Sequence, residues 1–283
     1  MTLIKTVKEV REEIKRQANE KGFSIGFVPT MGYLHEGHLS LIKRARKEND
    51  LVVVSVFVNP AQFAPNEDFD SYPRDIERDY KLAIDSGADI VFTPEVDEMY
   101  KENSSTFVNV EGEITKKLCG KSRPTFFKGV TTVVAKLFNI INPTNAYFGE
   151  KDAQQVAIIQ KMVNDLCYDI NVISCPLVRD EDGLALSSRN AYLNKEERKQ
   201  ALILSKSLFA ARQMFLNGEK NAQKLKHFII NKIKTQGIIE IDYVEIVDAD
   251  TLEYIETVEK RSFIALAVRI GKTRLIDNIY LEV

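Results

Sequence analysis

The chain has 283 residues, 44% of them hydrophobic and 28% charged, with a formal net charge of -2. That length and apolar content can form a large core, as one large domain or two modest ones, and they exclude a disordered chain. The balanced charge gives no ground for a nucleic-acid or anionic-membrane partner, and no apolar run nears the ~18 residues of a membrane helix.

The opening "MTLIKTVKEVREEIKRQ" carries acids and has no apolar h-region, so it does not read as a signal peptide. The first readable strand is "SIGFV" at 24–28, followed by an amphipathic helix in "GHLSLIKRARKEN" with Leu39, Ile42, Ala45 and Arg46 on one face. The basic run "IKRARK" within it is expected to be a solvated face. "LVVVSVFV" at 51–58 is apolar on both faces, as a buried parallel strand is. "RDIERDYKLAIDSG" predicts a helix capped by Gly87, and "ADIVFTP" a third strand. After a less regular stretch come a helix in "GVTTVVAKLFNIINP", closed by Pro143, and a short strand "AYFG". The helix "DAQQVAIIQKMVNDLC" and the strand "DINVISCP" follow. This alternation predicts an α/β fold, a Rossmann-like doubly wound parallel sheet with helices on both faces.

The rhythm changes after Pro176. "RDEDGLALSSRNAYL" is turn-rich, two helices are predicted near 195–216 and 222–235, and three alternating strands end the chain, the last two hinged at "GK". The expected division is a Rossmann-like domain over 1–177 and a smaller α+β domain over 178–283. Cys119, Cys167 and Cys175 have no metal-ligand spacing, and their odd number argues against a disulfide framework. They are expected as small buried residues of a reduced, cytoplasmic protein.

Ligands of doubly wound sheets bind beyond the carboxyl ends of the strands. Three polar clusters fall there: "HEGH" at 35–38, "NPAQF" at 59–63 and "GEKD" at 149–152. His35 and His38, two of only three histidines, could be metal ligands, core residues or phosphate donors. A zinc site needs three or four protein ligands, and His227 lies in a separate polar helix. A strand-to-helix turn with Gly37 favours phosphate, since a helix start offers free N–H groups and positive dipole charge. "GKT" at 271–273 is not a P-loop, because Leu266 stands where that motif needs glycine. "DGLALSSRN" is either a turn followed by a helix cap or an anion clamp built from Ser187, Ser188 and Arg189. "GEKDAQQ" is either a surface loop or a strand end offering the cation Lys151.

"PTMGYLHEGHLSLI" resembles the HxGH signature of the nucleotidyltransferase superfamily. With "FVNPAQF", "YPR", "FFKGVTTVVAKLFNI", "FGEKDAQQ" and "DGLALSSRNAYL" in this order, the chain resembles the pantothenate synthetase (pantoate–β-alanine ligase) family from the first strand through about Leu193. The resemblance implies a two-step reaction. Pantoate and ATP give pantoyl-adenylate and pyrophosphate, and β-alanine then displaces AMP to form pantothenate. It also implies a Rossmann-type domain with a mobile C-terminal lid, a homodimer, and Mg2+, with no metal ligands located in the chain.

By motif match, the ATP site comprises Met31, Gly32, Tyr33, Leu34, His35, Glu36, Gly37, His38, Gly149, Glu150, Lys151, Asp152, Val178, Leu186, Ser187, Ser188 and Arg189. Gln62 and Gln155 match the glutamines that hold pantoate, and Gln62 also meets β-alanine. His35, His38, Lys151 and Arg189 are the catalytic candidates, with His38 as proton donor to the leaving group. Pro29, Met31 and Phe63 are candidates for an apolar wall. Two departures from the family stand out: Leu186 replaces a common methionine, and "RPTFF" replaces "RPGHF", so that Phe126 stands where histidine is common. A different nucleotidyltransferase would share HxGH but has no need of both glutamines. A non-catalytic nucleotide-binding module would release no pyrophosphate.

Overall fold

The chain starts with a strand that periodicity does not reveal, β1 (Thr2–Ile4), too short to show alternation. Helix α1 (Val7–Gln17) follows, opened by a capping box in which Thr6 Oγ1 accepts the Glu9 amide at 3.2 Å and Glu9 Oε2 accepts the Thr6 amide at 3.3 Å. The elements then run β2 (Ile25–Thr30), α2 (Glu36–Glu48), β3 (Leu51–Val56), α3 (Ile76–Asp85), β4 (Ile90–Phe92), α4 (Val96–Met99), α5 (Cys119–Ser122) and α6 (Phe126–Ile141). Next come β5 (Asn145–Gly149), α7 (Ala153–Asp165), β6 (Asn171–Cys175), α8 (Lys195–Leu216), α9 (Ala222–Lys234), β7 (Ile239–Asp248), β8 (Ser262–Ile270) and β9 (Thr273–Leu281). This computed structural model describes residues 2–18, 22–65, 67–237 and 239–283.

The chain forms two compact units. The first comprises Met1–Glu111, Arg123–Glu150 and Ile158–Pro176; the second comprises Gly112–Ser122, Lys151–Ala157 and Leu177–Val283.

In the first unit, six strands among the described residues form a parallel sheet in the order β1-β4-β3-β2-β5-β6. Every residue of β3 is buried, which explains its unbroken apolar run. Val28, Val52, Val54 and Val91 pack with Leu39, Ile42 and Ala45 of α2 and Ala83 of α3 on one face. On the other face Phe27 meets Phe138 of α6, ring centroids 6.4 Å apart. Helices thus cover both faces, as expected. From β2 the chain winds outward through β3 and β4, then returns to lay β5 on the other side of β2. The loops after β2 and β5 diverge there, which makes their carboxyl ends the switch point where such sheets bind ligands.

Several details differ from expectation. Helix α6 does end ahead of Pro143 as read, but the cap itself is Asn142, in left-handed backbone (φ 50, ψ 58) with its amide on Phe138 O. The basic run in α2 is only partly a solvated face. Arg44 donates to Glu48 and to Ser174 O, and Arg46 to Asp89 and to the carbonyls of Asn49 and Asp50. Cys119 and Cys175 are buried, but Cys167 is exposed, at a positive φ of 54 just beyond α7.

The second unit holds an antiparallel sheet, β7-β8-β9, with α8 and α9 packed through Leu204, Leu208, Leu225 and Ile229 onto Val244, Ile246, Leu266 and Val268. Gly271, at φ 56, makes the turn between β8 and β9 that the "GK" hinge predicts. Two segments from earlier in the chain belong here. Leu118 and Ala153 pack with Val247, Leu252, Phe263 and Ala265. The buried Gln154 amide ties them together, donating to Ile114 O and Lys117 O and accepting from the Cys119 amide. Among the described residues no helix is long and apolar enough to cross a membrane.

Candidate active site

In the first unit the site is built on the carboxyl end of β2. Thr30 Oγ1 donates to Ser55 O of β3 and accepts the Gly32 amide at 3.1 Å, which turns the chain out of the strand. Gly32 (φ 85) and Tyr33 (φ 51) are both left-handed. A Cβ at Gly32 would lie 2.9 Å from an Asp79 oxygen and from Val56, so this is the glycine the turn requires. Gly37, read from sequence as a place of close ligand approach at the strand-to-helix turn, lies inside the first turn of α2.

Asp79 of α3, 1% exposed, closes the turn by accepting the Tyr33 and Leu34 amides, each at 2.7 Å. Burial pushes its carboxyl above the ordinary carboxylate range, against the pull of those two amides.

The turn delivers His35 to the N-cap of α2 and His38 to its third residue. Their rings stand side by side, centroids 4.0 Å apart and planes tilted by 34°. The His35 amide donates to His38 Nδ1 at 3.4 Å. A neutral imidazole that accepts at Nδ1 carries its proton on Nε2. His38 is therefore set up as a donor through Nε2, at a helix start whose first amides lack intrahelical acceptors.

After β3, Asn59 organises the 3₁₀ turn Pro60–Gln62. The Tyr100 phenol, pushed up to about 12 by burial, donates to Asn59 Oδ1 at 2.8 Å. Asn59 Nδ2 in turn donates to Gln62 Oε1 and to Gly129 O, both at 3.1 Å. This fixes the orientation of the Gln62 amide, whose Nε2 donates to Met31 Sδ at 2.8 Å. A thioether is a weak acceptor, readily exchanged for a ligand oxygen. Pro29, Met31 and Phe63 are all half-buried. Arg123 braces this turn from the other side. It forks onto Glu67, donates to Gln62 O at 3.1 Å, and lies 3.7 Å above the Phe126 ring. Asn59, Asp79, Tyr100 and Arg123 were not singled out from sequence. Two of them stood inside quoted motifs, Asn59 in "NPAQF" and Arg123 in "RPTFF".

Gly149 ends β5 in the first unit, and the Glu150 carboxylate accepts from Ser174 Oγ at 2.9 Å. Lys151 and Asp152 fall in the second unit, with Lys151 Nζ 3.5 Å from Asp152 Oδ2. Of the two adjacent glutamines, Gln154 is buried in its loop contacts, whereas Gln155 is half-buried.

Also in the second unit, residues 178–186 form a small hairpin. Val178 O accepts the Leu186 amide, Arg179 bridges to Ala185, and Gly183 (φ 92) makes the tip. Arg198 pins it through Asp180 and Asp182. Ser187 caps the 3₁₀ turn Ser188–Tyr192, accepting the Arg189 amide at 3.3 Å. The capping alternative therefore describes Ser187, whose hydroxyl hydrogen is still a donor when its oxygen accepts. Ser188 is buried and Arg189 half-buried. His227 is exposed on α9. Among the described residues, no group of three or more His, Cys, Asp or Glu side chains is arranged to hold a metal.

Residues 2–280 match the family model described as pantoate-beta-alanine ligase. The chain is 58% identical to the pantothenate synthetase of Acetivibrio thermocellus over 283 residues, covering all of both chains. It is 56% identical to that of Thermotoga neapolitana over 281 residues, 99% of this chain and 100% of the relative. The pantothenate synthetase of Thermus thermophilus superimposes with a TM-score of 0.95 at 44% identity, with full coverage of both chains. The pantoate-beta-alanine ligase of Francisella tularensis, solved with beta-gamma ATP and beta-alanine, superimposes with a TM-score of 0.80 at 37% identity, covering 99% of this chain and 97% of that one. With the HEGH segment at the switch point and similarity running from end to end, the chain belongs to the pantoate-beta-alanine ligase family.

Proposed function

We propose that the chain condenses pantoate with β-alanine at the expense of ATP, yielding pantothenate, AMP and pyrophosphate through pantoyl-adenylate. The observation that carries this reading is the His35–His38 pair at the start of α2, where His38 Nδ1 accepts a backbone amide and Nε2 therefore carries the proton of the neutral ring.

In the first step a carboxylate oxygen of pantoate attacks the α-phosphorus of ATP. The bond from that phosphorus to the bridging oxygen breaks, and pyrophosphate leaves. The nucleophile is already ionised, so the chemical demand is for donors where charge grows rather than for a base. His38 donates to the leaving group, with His35, Lys151 and Arg189 on the phosphates. Met31, Gly32, Tyr33, Leu34, Glu36, Gly37, Gly149, Glu150, Asp152, Val178, Leu186, Ser187 and Ser188 line the nucleotide. Gln62 and Gln155 hold pantoate, whose hydroxyls and carboxylate suit an amide that both donates and accepts. In the second step the β-alanine amine attacks the activated carbonyl carbon. AMP departs with its bonding electron pair, and the amine loses a proton.

Mg2+ belongs to this reading as a companion of the triphosphate. It usually binds through substrate phosphates and retained waters rather than a protein cage, and the donor set here of imidazole, ammonium and guanidinium groups suits phosphate rather than metal. When bound it supplies neutralisation of phosphate charge. The reading extends to a homodimer in the cytoplasm, with residues 178–283 serving as a lid over a nucleotide- and pantoate-binding domain of residues 1–177.

The test is to mix protein, Mg2+, ATP and pantoate without β-alanine. Pyrophosphate and bound pantoyl-adenylate are expected. No pyrophosphate there, and no pantothenate once β-alanine is added, would overturn the reading.

A further inference from the structure

The last strand of the second unit carries two adjacent buried polar side chains, Asp277 (3% exposed) and Asn278 (6%). Buried polar groups are retained where they are bonded, and these two bond outside their own sheet. Asp277 Oδ2 accepts Arg179 Nη1 at 2.7 Å, and Oδ1 accepts Arg179 Nη2 at 2.9 Å and the Asn278 amide at 2.7 Å. Arg179 also donates to Gly183 O and to Asn278 O, each at 3.2 Å. The fork therefore locks β9 to the hairpin that leads into Leu186–Arg189. From this anchored position Asn278 Nδ2 donates to Lys151 O at 3.0 Å.

Lys151 lies in a 3₁₀ turn of three residues, Glu150–Asp152. So short a turn does little to fix its own direction, and 3₁₀ hydrogen bonds are poorly aligned. A donor held from a neighbouring strand supplies what the turn lacks. Packing alone would favour an apolar residue at 278, as at its cross-strand partner Ala265.

We infer that Asn278 is a positioning residue for Lys151: its amide, made rigid by the adjacent Asp277–Arg179 fork, holds the Lys151 carbonyl and so aims the ε-ammonium at an anionic phosphate. This rests on the assignment of Lys151 to the ATP phosphates in the proposed reaction. The same brace sets the spacing between Lys151 and the hairpin that leads into Ser187, Ser188 and Arg189, because one strand end holds both.

The test is a double-mutant cycle. Pyrophosphate release from ATP and pantoate, the Kd for ATP and the Tm are measured for wild type, Asn278→Ala, Lys151→Ala and the double variant. With Lys151 present, Asn278→Ala is expected to lose roughly 10- to 100-fold in pyrophosphate release, as outer-shell partners of a functional group do. In the Lys151→Ala background the further loss is expected to be under about 2-fold, because residues acting through one group are not additive. Equal losses in both backgrounds would overturn the inference, since a merely structural asparagine costs the same with or without the lysine side chain. The Kd for ATP reads the same cycle where the chemistry of Lys151→Ala is too slow to follow. Should Asn278→Ala fail to fold, Asn278→Asp keeps the shape, removes the donor and runs through the same cycle. A wild-type enzyme that releases no pyrophosphate would overturn the reaction itself, a result distinct from additivity in an enzyme that turns over.

Discussion

Asp79 accepts the Leu34 amide at 2.7 Å, so a carboxylate on α3 decides where the chain stands just before it presents His35. The contact spans 45 residues of sequence. It also accounts for the left-handed backbone at Gly32 and Tyr33, because both Tyr33 and Leu34 amides must turn toward one buried carboxylate. Asp79→Asn replaces one acceptor oxygen with an NH₂ facing a backbone N–H. The expected result is a loss of roughly 10- to 100-fold in turnover, the scale for outer-shell partners, with far-UV circular dichroism unchanged. Wild-type turnover in this variant would show that the turn holds without the carboxylate.

His38→Ala removes the Nε2 donor together with the weak Nδ1 acceptor of the His35 amide. Loss of one preorganised donor costs roughly 100- to 1,000-fold in rate. The variant is expected to melt within a few degrees of wild type and to release pyrophosphate at that reduced rate under single-turnover conditions. Comparable rates in the two proteins would remove the donor role.

Gly129 sits against the backbone of the turn that bears Gln62: a Cβ there would collide with Ala61 C and O and fall 2.7 Å from Gln62 Cα. Backbone cannot give way as a flexible side chain can. Gly129→Ala is therefore expected to cost about 1–3 kcal/mol of stability, as overpacking does, and to displace Gln62. Steady-state kinetics should show a raised KM for pantoate with the KM for ATP little changed.

The departure at Phe126 has a structural counterpart. Its ring lies under the Arg123 guanidinium, which also forks onto Glu67 and holds Gln62 O. Phe126→Ala is expected to cost about 0.5–2 kcal/mol for the lost cation–π contact and to raise the KM for pantoate. Phe126→His restores a flat ring and should recover most of that KM. Arg123→Lys keeps the charge but loses the fork, and should resemble Phe126→Ala rather than wild type. Urea titrations and pantoate saturation curves check all three.

Asp248, buried at the end of β7, supplies the pH prediction. Burial pushes its carboxyl up, but Lys260 Nζ at 2.7 Å and bonds from Thr251 and Asp250 outweigh this and hold it at about 2, below the ordinary 3.8. A carboxyl whose folded value is depressed stabilises the fold above its unfolded pKa, and that stability is lost as pH falls toward the folded value. The contribution is of order 2 kcal/mol at most, less screening at the exposed Lys260. The urea midpoint of wild type should fall between about pH 5 and about pH 2.5 more steeply than that of Asp248→Asn. Parallel curves would exclude the carboxylate as the cause.

Much of the fold was readable because parallel strands buried on both faces write unbroken apolar runs, as "LVVVSVFV" does for β3. The helices α8 and α9 carry long apolar stripes and Asn caps, and their limits were readable almost to the residue. β1 was not, because three residues paired only with β4 leave no pattern. Within the site, the histidines and glutamines were visible as rare or clustered residues. Their supports were not: Asp79, Arg123 and Asn278 are ordinary polar residues whose partners lie 45, 61 and 127 positions away. Gly37 drew attention through its place between the histidines, whereas Gly32 makes the turn, a distinction set by backbone angles. The exposure of Cys167 follows from its place after α7, which residue type does not foretell.

The interleaving of the two units restricts how this protein can be cut. The chain passes from one to the other at 111/112, 122/123, 150/151, 157/158 and 176/177. A fragment beginning at Leu177 would lack Leu118 and Ala153, uncovering Val247, Leu252 and Phe263. It would also lose the Lys151 carbonyl that Asn278 holds. The C-terminal segment is therefore not a cassette that could be transplanted or lost in one genetic event. A transplanted version would have to carry residues 112–122 and 151–157 with it, and the second of these begins at Lys151.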